Sequence, residues 1–280
     1  MVFHDNMIGA PETLLDELTT LVSHAGAVIL RECAGELTAR SKPDRSPVTA
    51  ADEASEEVIL EGLSRLLPGV PAVSEEACGL NPPARLGETF LLIDPLDGTR
   101  EIIAGRDEYT INLALVTGGR PVLGIVAAPA QGLVWRGVLD RGAERLSLTP
   151  GTPVASARER DTIRTRPWSE AELVAAFSRS HLDAQTQALL ARLPLSHRFQ
   201  CGSAIKFCLL AEGTADIYPR LSPTCEWDVA AGHALLAAAG GIVTAPDRTP
   251  LAYGGIEKNF RIPAFLALGD QSAAQTLRLA

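Results

Sequence analysis

Two carboxylates three residues apart follow an apolar segment in the sequence Asp94-Pro-Leu-Asp-Gly-Thr99. Pro95 and Gly98 predict a tight turn, which would let both carboxylates and the backbone carbonyl of Leu96 face one cavity. Oxygen ligands on a rigid turn suit Mg²⁺, and the amides of Gly98 and Thr99 would face a phosphate at the start of a helix. An ordinary turn with an aspartate as helix cap explains the segment equally well by itself.

Four further acidic residues are candidates for such a site. Glu75 and Glu76 are adjacent, so their side chains diverge and at most one of them would reach the same cavity. Asp52 lies in a Thr-x-x-Asp pattern, and Asp228 precedes an apolar helical segment. Both positions are typical of helix N-caps, which is the simpler interpretation of each. The spacing alone leaves the choice between cap and metal ligand open.

Other common catalytic signatures are missing from the sequence. The five histidines show neither H-x-x-x-H nor H-E-x-x-H spacing, so a zinc site is not expected. Neither G-x-S-x-G nor G-x-x-x-x-G-K-[ST] occurs, which removes the main support for a serine hydrolase or a P-loop protein. The five cysteines are odd in number and form no C-x-x-C pair, which indicates free thiols in a reducing compartment.

Length and charge restrict the domain organisation and the partners. The 280 residues predict two compact halves, 1–150 and 151–280, with the junction in the turn-rich segment 139–165. A formal net charge of −9 disfavours sequence-independent binding of nucleic acid. We expect no transmembrane segment, because no run approaches the roughly 20 apolar residues that span a bilayer.

Hydrophobic spacing predicts the elements that must position the acidic residues. Helices are predicted over 12–33, from Thr49 to before Pro68, and over 184–193, 203–212 and 229–239; strands are predicted over 89–93, 110–116, 122–127, 173–177 and 215–218. The polar segment 39–47 is expected to be a mobile loop. Alternation of strand and helix in the second half favours an α/β architecture.

Four motifs, in this order, resemble the inositol monophosphatase family of Mg²⁺-dependent, lithium-sensitive phosphatases: Pro47-Val-Thr-Ala-Ala-Asp52, Ser74-Glu-Glu76, Asp94-Pro-Leu-Asp-Gly-Thr99 and Trp227-Asp-Val-Ala-Ala-Gly232. The resemblance implies an α/β (α+β) fold with layered α/β/α/β/α architecture. The N-terminal half would contain an antiparallel sheet, two long helices and most metal ligands. The C-terminal half would contain a mixed sheet between helices, together with Asp228 and the substrate residues.

Further stretches are similar to the 3'(2'),5'-bisphosphate nucleotidases of that family, among them Ser178-Arg-Ser-His181, Gly202-Ser-Ala-Ile-Lys-Phe-Cys208 and Tyr218-Pro-Arg220. Arg100 and Ile102 stand where the family usually has Lys and Phe. Inositol-specific members carry an acid seven residues before the motif aspartate, where this chain has Leu221. Leucine cannot accept hydrogen bonds from inositol hydroxyls, whereas the neighbouring arginine could pair with a second phosphate.

The resemblance also implies a ligand set for two or three Mg²⁺ ions. Glu75, Asp94 and the Leu96 carbonyl would hold the first ion, Asp94, Asp97 and Asp228 the second, and a weaker third would lie near Glu75. An attacking water would pass a proton through the Thr99 hydroxyl to Asp52. The substrate residues would be Gly98 and Thr99 at the scissile phosphate, and Ser180, His181, Gly202, Lys206 and Arg220 around the remainder.

The implied reaction removes the 3'-phosphate of 3'-phosphoadenosine 5'-phosphate, a by-product of sulfate assimilation, and yields AMP and phosphate. A broader inositol- or sugar-phosphate phosphatase on the same metal core is the alternative. A catalytically silent nucleotide-binding protein would predict a damaged ligand set, which this chain does not have. The expected partner is a small phosphorylated molecule, and the expected state is a cytoplasmic monomer or homodimer, free or peripheral to the inner membrane.

Overall fold

The two N-terminal helices form one of the two outer layers of the molecule. The computed structural model describes residues 11–35, 40–41, 47–80 and 83–273. Helix α1 spans Pro11–Cys33 and α2 spans Ala50–Leu66, which confirms both predicted helices. Helix α2 begins at a capping box, in which Asp52 Oδ2 accepts hydrogen bonds from the backbone N–H and the hydroxyl of Thr49 at 2.8 and 2.7 Å.

The segment between these helices is described only at its ends. Arg40–Ser41 (β1) pairs antiparallel with Pro47–Val48 (β2), so short strands flank the predicted loop. The rest of that predicted loop, Ala39 and residues 42–46, lies outside the described residues. The prediction of mobility is therefore not tested there.

Seven strands form the first sheet, in the order β3-β4-β5-β6-β7-β8-β9. Their bounds are Ala72–Ser74, Thr89–Asp97, Thr110–Thr117, Arg120–Ala128, Leu133–Val138, Gly142–Ser147 and Glu159–Ile163. Short helices α3 (Glu75–Leu80) and α4 (Thr99–Ile103) follow β3 and β4. The sheet is antiparallel except for β3, which pairs parallel to β4 because the chain crosses back through α3.

Two predictions about the first half meet different outcomes. The hairpin of β5 and β6 around Gly118-Gly119 is confirmed. The segment 139–165 contains strands β8 and β9 of the first sheet, so this sheet continues to Ile163, beyond the boundary expected at residue 150. Strand β9 was not predicted, because it is an edge strand in which four of five residues are exposed. Such a strand has no apolar alternation to read.

The second sheet has five strands in the order β11-β10-β12-β16-β14. The remaining elements in chain order are β10 (Leu173–Ser178), α5 (Ala184–Arg192), β11 (Leu195–Cys201), α6 (Ile205–Ala211), β12 (Ile217–Arg220), β13 (Thr224–Cys225), α7 (Glu226–Ala239), β14 (Ile242–Thr244), β15 (Arg261–Ile262) and β16 (Phe265–Leu268). Parallel and antiparallel pairs both occur, as expected. Strand β11 was not predicted, because it is a largely exposed edge strand.

The layers follow from which faces are buried. Alternate residues of β4, such as Leu91 and Leu92, pack on opposite sides of the first sheet, against α1 and α2 on one side and against α6 and α7 on the other. The second sheet packs on α6 and α7, and its outer face is covered by Leu190 of α5. The order is therefore helix, sheet, helix, sheet, helix, which confirms the expected α/β/α/β/α architecture.

Helix α1 is the one described helix that is long and apolar enough to span a membrane, by length and composition alone. This finding qualifies the expectation that no such segment exists. In the fold, its apolar side chains Leu18, Val22 and Ile29 are fully buried against α2 and the first sheet. Burial of this face in the protein core accounts for the apolar composition of the helix.

Candidate active site

A tight turn at the end of β4 carries two of the predicted metal ligands. The pairing of β4 with β5 is irregular between Asp94 and Asp97, so the chain bends where the carboxylates project. Asp94 Oδ1 accepts a hydrogen bond from the Leu96 amide at 3.0 Å, and Ser55 Oγ of α2 donates to the Pro95 carbonyl at 2.8 Å. These bonds hold the turn against the second helix.

Gly98 is required by both the conformation and the packing of this turn. Its φ of 103° lies in the left-handed region that favours glycine. A Cβ atom at this position would lie 2.4 Å from Ser203 Oγ. That hydroxyl donates to the carbonyl oxygens of Asp97 and Glu108 at 2.8 and 2.7 Å, so a loop of the second half is seated directly on the turn.

Three predicted ligands converge although they are far apart in sequence. One carboxylate oxygen from each of Glu75, Asp94 and Asp228 lies within 4.8 Å of the other two. Glu75 opens α3 and Asp228 lies in the first turn of α7, so each comes from a different element. Asp97 is beside them and interacts electrostatically with Asp228. We refer to these four carboxylates as the metal cluster.

The cap and ligand interpretations are not exclusive. Asp228 Oδ2 accepts hydrogen bonds from the Cys225 amide at 3.1 Å and from the Thr224 hydroxyl, so it caps α7 while facing the other carboxylates. Asp52 caps α2 in the same manner and also accepts a hydrogen bond from Thr99 Oγ1 through its other oxygen, at 3.0 Å. A cap fixes a carboxylate in place, which also suits a functional group.

The electrostatics of the metal cluster favour a bound cation. Burial raises the pKa of Asp94 well above its ordinary value, and the charges of Glu75, Asp97 and Asp228 raise it further. Burial and the charge of Asp228 raise the pKa of Asp97 to about 6. Like charges in a desolvated site disfavour ionisation unless a cation offsets them. Hard carboxylate oxygens, with the Leu96 carbonyl on the same turn, are the donor set that Mg²⁺ prefers.

A cavity of about 280 Å³ opens above the metal cluster. Both halves of the molecule line it, and it contains every predicted site residue except Asp52 and Lys206. Its lining includes Glu75, Asp94, Leu96, Asp97, Gly98, Thr99, Ser180, His181, Gly202, Arg220 and Asp228. Asp52 is 2% exposed and reaches the cavity only through its hydrogen bond from Thr99.

Lys206 differs from its predicted placement. It is 2% exposed and does not line the cavity. Its ammonium donates to the backbone carbonyls of Cys201, at 3.4 Å, and Ser203, and it lies 5.1 Å from the centre of the Tyr218 ring. In this geometry it acts through its charge, which lowers the pKa of Asp97, rather than by direct contact with a ligand.

Ser180 also differs in detail from the predicted ligand-binding role. Its hydroxyl donates to Glu101 Oε1 at 2.7 Å, so its single proton is directed away from a ligand phosphate. Arg220 lines the cavity, and its buried Nε has no hydrogen-bond partner among the residues that the structure describes. Leu221 is absent from the cavity lining, so the arginine rather than the leucine faces the cavity.

Sequence reasoning missed several lining residues, among them Arg100, Glu101, Ser178, Ser203, Cys225 and Arg261. Arg100 and Arg261 are exposed at the cavity, and within the part of the chain that the structure describes neither side chain forms a salt bridge or hydrogen bond. Arg261 reaches the site because β15 pairs with β13, which places it opposite Cys225. A two-residue strand has no periodic signal, so only the tertiary fold could identify it.

Comparisons with known proteins agree with this geometry. Residues 10–275 match the inositol monophosphatase family. The 3'(2'),5'-bisphosphate nucleotidase CysQ of Escherichia coli strain K12 is 38% identical over 259 residues, which cover 90% of this chain and 98% of the relative. The protein of the same description from Haemophilus influenzae is 30% identical over 273 residues, with 95% and 96% of the two chains covered.

Solved structures give the same result. CysQ from Bacteroides thetaiotaomicron superposes with a TM-score of 0.76 at 31% identity, over 91% of this chain and 96% of that one. The inositol monophosphatase from Anabaena superposes with a TM-score of 0.71 at 28% identity, over 94% and 93%. The match extends through both sheets and through all four motifs of the site. This chain belongs to the inositol monophosphatase family.

Proposed function

We propose that this protein is a Mg²⁺-dependent phosphatase that removes the 3'-phosphate of 3'-phosphoadenosine 5'-phosphate and releases AMP and inorganic phosphate. One observation carries the proposal: a single cavity has the metal cluster on one side and Arg220, with an unpartnered buried Nε, on the other. A substrate with two phosphates satisfies both sides. The relatives named as 3'(2'),5'-bisphosphate nucleotidases support the same substrate class.

Two or three Mg²⁺ ions would be held by the metal cluster together with the Leu96 carbonyl. When bound, such ions neutralise the developing phosphate charge, lower the pKa of water and stabilise a leaving alkoxide. Phosphate-monoester hydrolysis is among the slowest uncatalysed reactions, so a single general base, worth about 10²–10⁴-fold, does not suffice. Lithium is expected to inhibit by competing for a site in this cluster.

Thr99 and Asp52 form the proton path in this proposal. Because the Thr99 hydroxyl donates to Asp52 Oδ1 at 3.0 Å, its lone pairs are free to face the cavity. A water that gives its proton to this hydroxyl, while the hydroxyl passes its own proton to Asp52, becomes a stronger nucleophile for phosphorus. The water oxygen forms a bond to phosphorus as the bond from phosphorus to the ribose 3'-oxygen breaks. The ribose oxygen takes up a proton from solvent, and Asp52 returns the proton it accepted to solvent.

The remaining wall of the cavity binds the part of the substrate that is not cleaved. Arg220 offers the 5'-phosphate a planar, charged set of donors. His181 and Gly202 line the same side of the cavity, while Lys206 contributes positive potential from behind the wall. The amides of Gly98 and Thr99 are assigned to the phosphate that is cleaved.

The cellular role follows from the substrate. We assign the protein to the cytoplasm, where the adenosine bisphosphate by-product of sulfate assimilation would be cleared. All five cysteines are free thiols, which is consistent with a reducing compartment.

Phosphate release from a panel of substrates tests the proposal. The panel is 3'-phosphoadenosine 5'-phosphate, its sulfated form, inositol 1-phosphate and fructose 1,6-bisphosphate, each with Mg²⁺. We expect kcat/KM to be at least about ten-fold higher for the adenosine bisphosphate than for the inositol and sugar phosphates. A flat profile, or a preference for inositol 1-phosphate, would contradict the proposed substrate while leaving the metal chemistry standing.

A further inference from the structure

A network of charged side chains joins the metal-bearing turn to the opposite wall of the cavity. Its centre is Glu101, one turn into α4 and four residues beyond Asp97. Glu101 lines the cavity, yet the residue as a whole is only 2% exposed. A buried carboxylate of this kind is stable only when its oxygens are satisfied by donors.

Donors from two regions satisfy the Glu101 carboxylate. Arg106, at the end of the same short helical segment, contacts Oε2 at 2.7 Å. Ser180 Oγ donates to Oε1 at 2.7 Å, and Arg179 Nη1 lies 3.4 Å from Oε2. The last two donors follow β10, a strand of the second sheet. Glu101 therefore holds the loop after β10 against the segment that follows the metal-bearing turn.

Arg179 extends the network to the loop that contains Gly202. Its guanidinium contacts Glu108 through both terminal nitrogens, one of them at 2.9 Å, and donates to the Gln200 carbonyl at 2.8 Å. Glu108 Oε2 also accepts a hydrogen bond from the Gly202 amide at 2.8 Å. A Cβ atom on Gly202 would lie 2.7 Å from the Glu108 carbonyl oxygen and 2.8 Å from Glu101 Cγ, so the loop packs directly on both acidic residues.

We propose that Glu101 is a positioning residue that sets the place of the Ser180–His181 loop, and hence of the subsite for the uncleaved phosphate, relative to the metal cluster. The inference rests on the proposed function, because it assigns this wall to the second phosphate. Glu101 does not itself bind that phosphate. Its charge would repel a phosphate, and both its oxygens are already engaged by Ser180, Arg106 and Arg179.

The conservative change Glu101→Gln tests this role. Glutamine keeps the size of the side chain and one accepting oxygen, but its amide nitrogen is a donor. The side chain therefore no longer accepts from the serine and the arginines together, and it loses the charge that pairs with Arg106 and Arg179. The assay compares two substrates that share the nucleoside and the cleaved 3'-phosphate: 3'-phosphoadenosine 5'-phosphate, and adenosine 3'-phosphate, which lacks the second phosphate. For Glu101→Gln we expect KM for the bisphosphate to rise about ten-fold, and kcat/KM for the monophosphate to stay within about three-fold.

The controls separate this role from general damage. Glu61→Gln removes an exposed carboxylate of α2 that pairs with Arg65. It should leave KM and kcat/KM unchanged for both substrates. Ser180→Ala removes the hydrogen bond between Ser180 and Glu101 by changing the exposed partner. It should therefore also raise KM for the bisphosphate, and it provides the test if Glu101→Gln folds poorly. In the double variant the rise in KM should be smaller than the product of the two single effects, because both changes act on the Glu101–Ser180 contact.

Several outcomes would overturn the inference. Equal losses on the two substrates would mean that Glu101 supports the metal-bearing turn rather than the wall. Unchanged kinetics in both Glu101→Gln and Ser180→Ala would mean that the contact positions nothing. Failure of the proposed function is distinct from both results: the wild-type protein would then show no preference for the bisphosphate over adenosine 3'-phosphate, and both conclusions would fall together.

Discussion

The carboxylates on the two sides of the cavity differ in the direction of their pKa shifts. In the metal cluster, burial and mutual repulsion raise the pKa of Asp94 and Asp97. In the network that holds the Ser180–His181 loop, the hydrogen bonds and charge of Arg179 lower the pKa of Glu108 against an opposing effect of burial. Glu101 and Glu108 are paired with arginines of the chain, whereas the carboxylates of the metal cluster need a cation from outside. Catalytic groups are expected where the carboxylate charge is uncompensated, and positioning groups where it is paired.

The two sides also differ in how the chain assembles them. Asp52 and Asp228 are each fixed by backbone or side-chain donors three or four residues away, so local caps hold them. The Ser180–His181 loop depends on contacts between residues far apart in sequence, such as Ser180 with Glu101 and Arg179 with Glu108. This difference decides where mutations should act on chemistry and where they should act on substrate recognition.

The largest expected effect comes from neutralising the centre of the metal cluster. We expect Asp94→Asn to lower kcat/KM by at least about 10³-fold, because the proposed function makes this carboxylate a ligand shared between cation sites. The same change should raise the melting temperature of the protein in EDTA, since it removes a buried charge that three other carboxylates repel. Phosphate release and thermal unfolding, with and without Mg²⁺, measure both effects.

The neighbouring acids Glu75 and Glu76 supply a matched control for that experiment. Glu75 belongs to the metal cluster, and no oxygen of Glu76 does. Glu75→Gln should therefore impair catalysis severely and Glu76→Gln should not. Near-normal activity of Asp94→Asn, or equal losses in the two glutamate variants, would refute the assignment of the cluster.

A smaller loss is expected when the proton path is broken without touching a metal ligand. Thr99→Ala should lower kcat by about 10²-fold or more, because Asp52 then has no hydroxyl through which to act. Thr99→Ser retains the hydroxyl and should keep most of the activity. Steady-state kinetics at saturating Mg²⁺ compare the two variants. Equal activity of the serine and alanine variants would exclude the relay.

On the opposite side, Arg220→Gln should change recognition rather than chemistry. A charge-assisted hydrogen bond contributes about 1.5–3 kcal/mol, so KM for the bisphosphate should rise by about ten- to a hundred-fold. Activity on adenosine 3'-phosphate should change by no more than about three-fold. Parallel kinetics on the two substrates provide the measurement. An equal loss on both would mean that Arg220 serves the cleaved phosphate instead.

The smallest effect concerns the ion pair within the wall. Because Arg179 lowers the pKa of Glu108 in the folded protein, the pair stabilises the fold above the ordinary pKa of 4.5. This contribution to stability is lost as the pH falls through the lowered pKa of Glu108. Arg179→Gln should reduce the free energy of unfolding by about 1 kcal/mol at pH 7 and by much less near pH 3. Urea unfolding at the two pH values tests this, and a pH-independent difference would contradict it.

The sequence predicts the metal side better than the wall, for a physical reason. Asp94 and Asp97 lie on one turn, and Asp52 and Asp228 lie at helix starts, so short-range spacing marks them as candidates, and the resemblance to the family assigns their roles. Strand β4 was also predictable, because its continuous apolar run is buried on both faces. In each case the information is contained within a few residues of the chain.

The wall is specified by tertiary contacts that short-range patterns do not encode. Lys206 was expected to touch the substrate because of the resemblance of its stretch to the bisphosphate nucleotidases, yet its burial turns the ammonium toward backbone carbonyls. Arg261 reaches the cavity from a two-residue strand, and Glu101 belongs to a helix of five residues. Neither element is long enough for a periodic pattern to show which way its side chains face.

The position of the bond that is cleaved tests the division of the cavity most directly. ³¹P NMR of the reaction with 3'-phosphoadenosine 5'-phosphate and Mg²⁺ distinguishes the 3'- and 5'-phosphates of substrate and product. If the metal cluster receives one phosphate and Arg220 the other as proposed, the 3' signal will be replaced by inorganic phosphate while the 5' signal persists as AMP. Accumulation of adenosine 3'-phosphate would show that the metal cluster receives the 5'-phosphate instead, which would contradict the proposal.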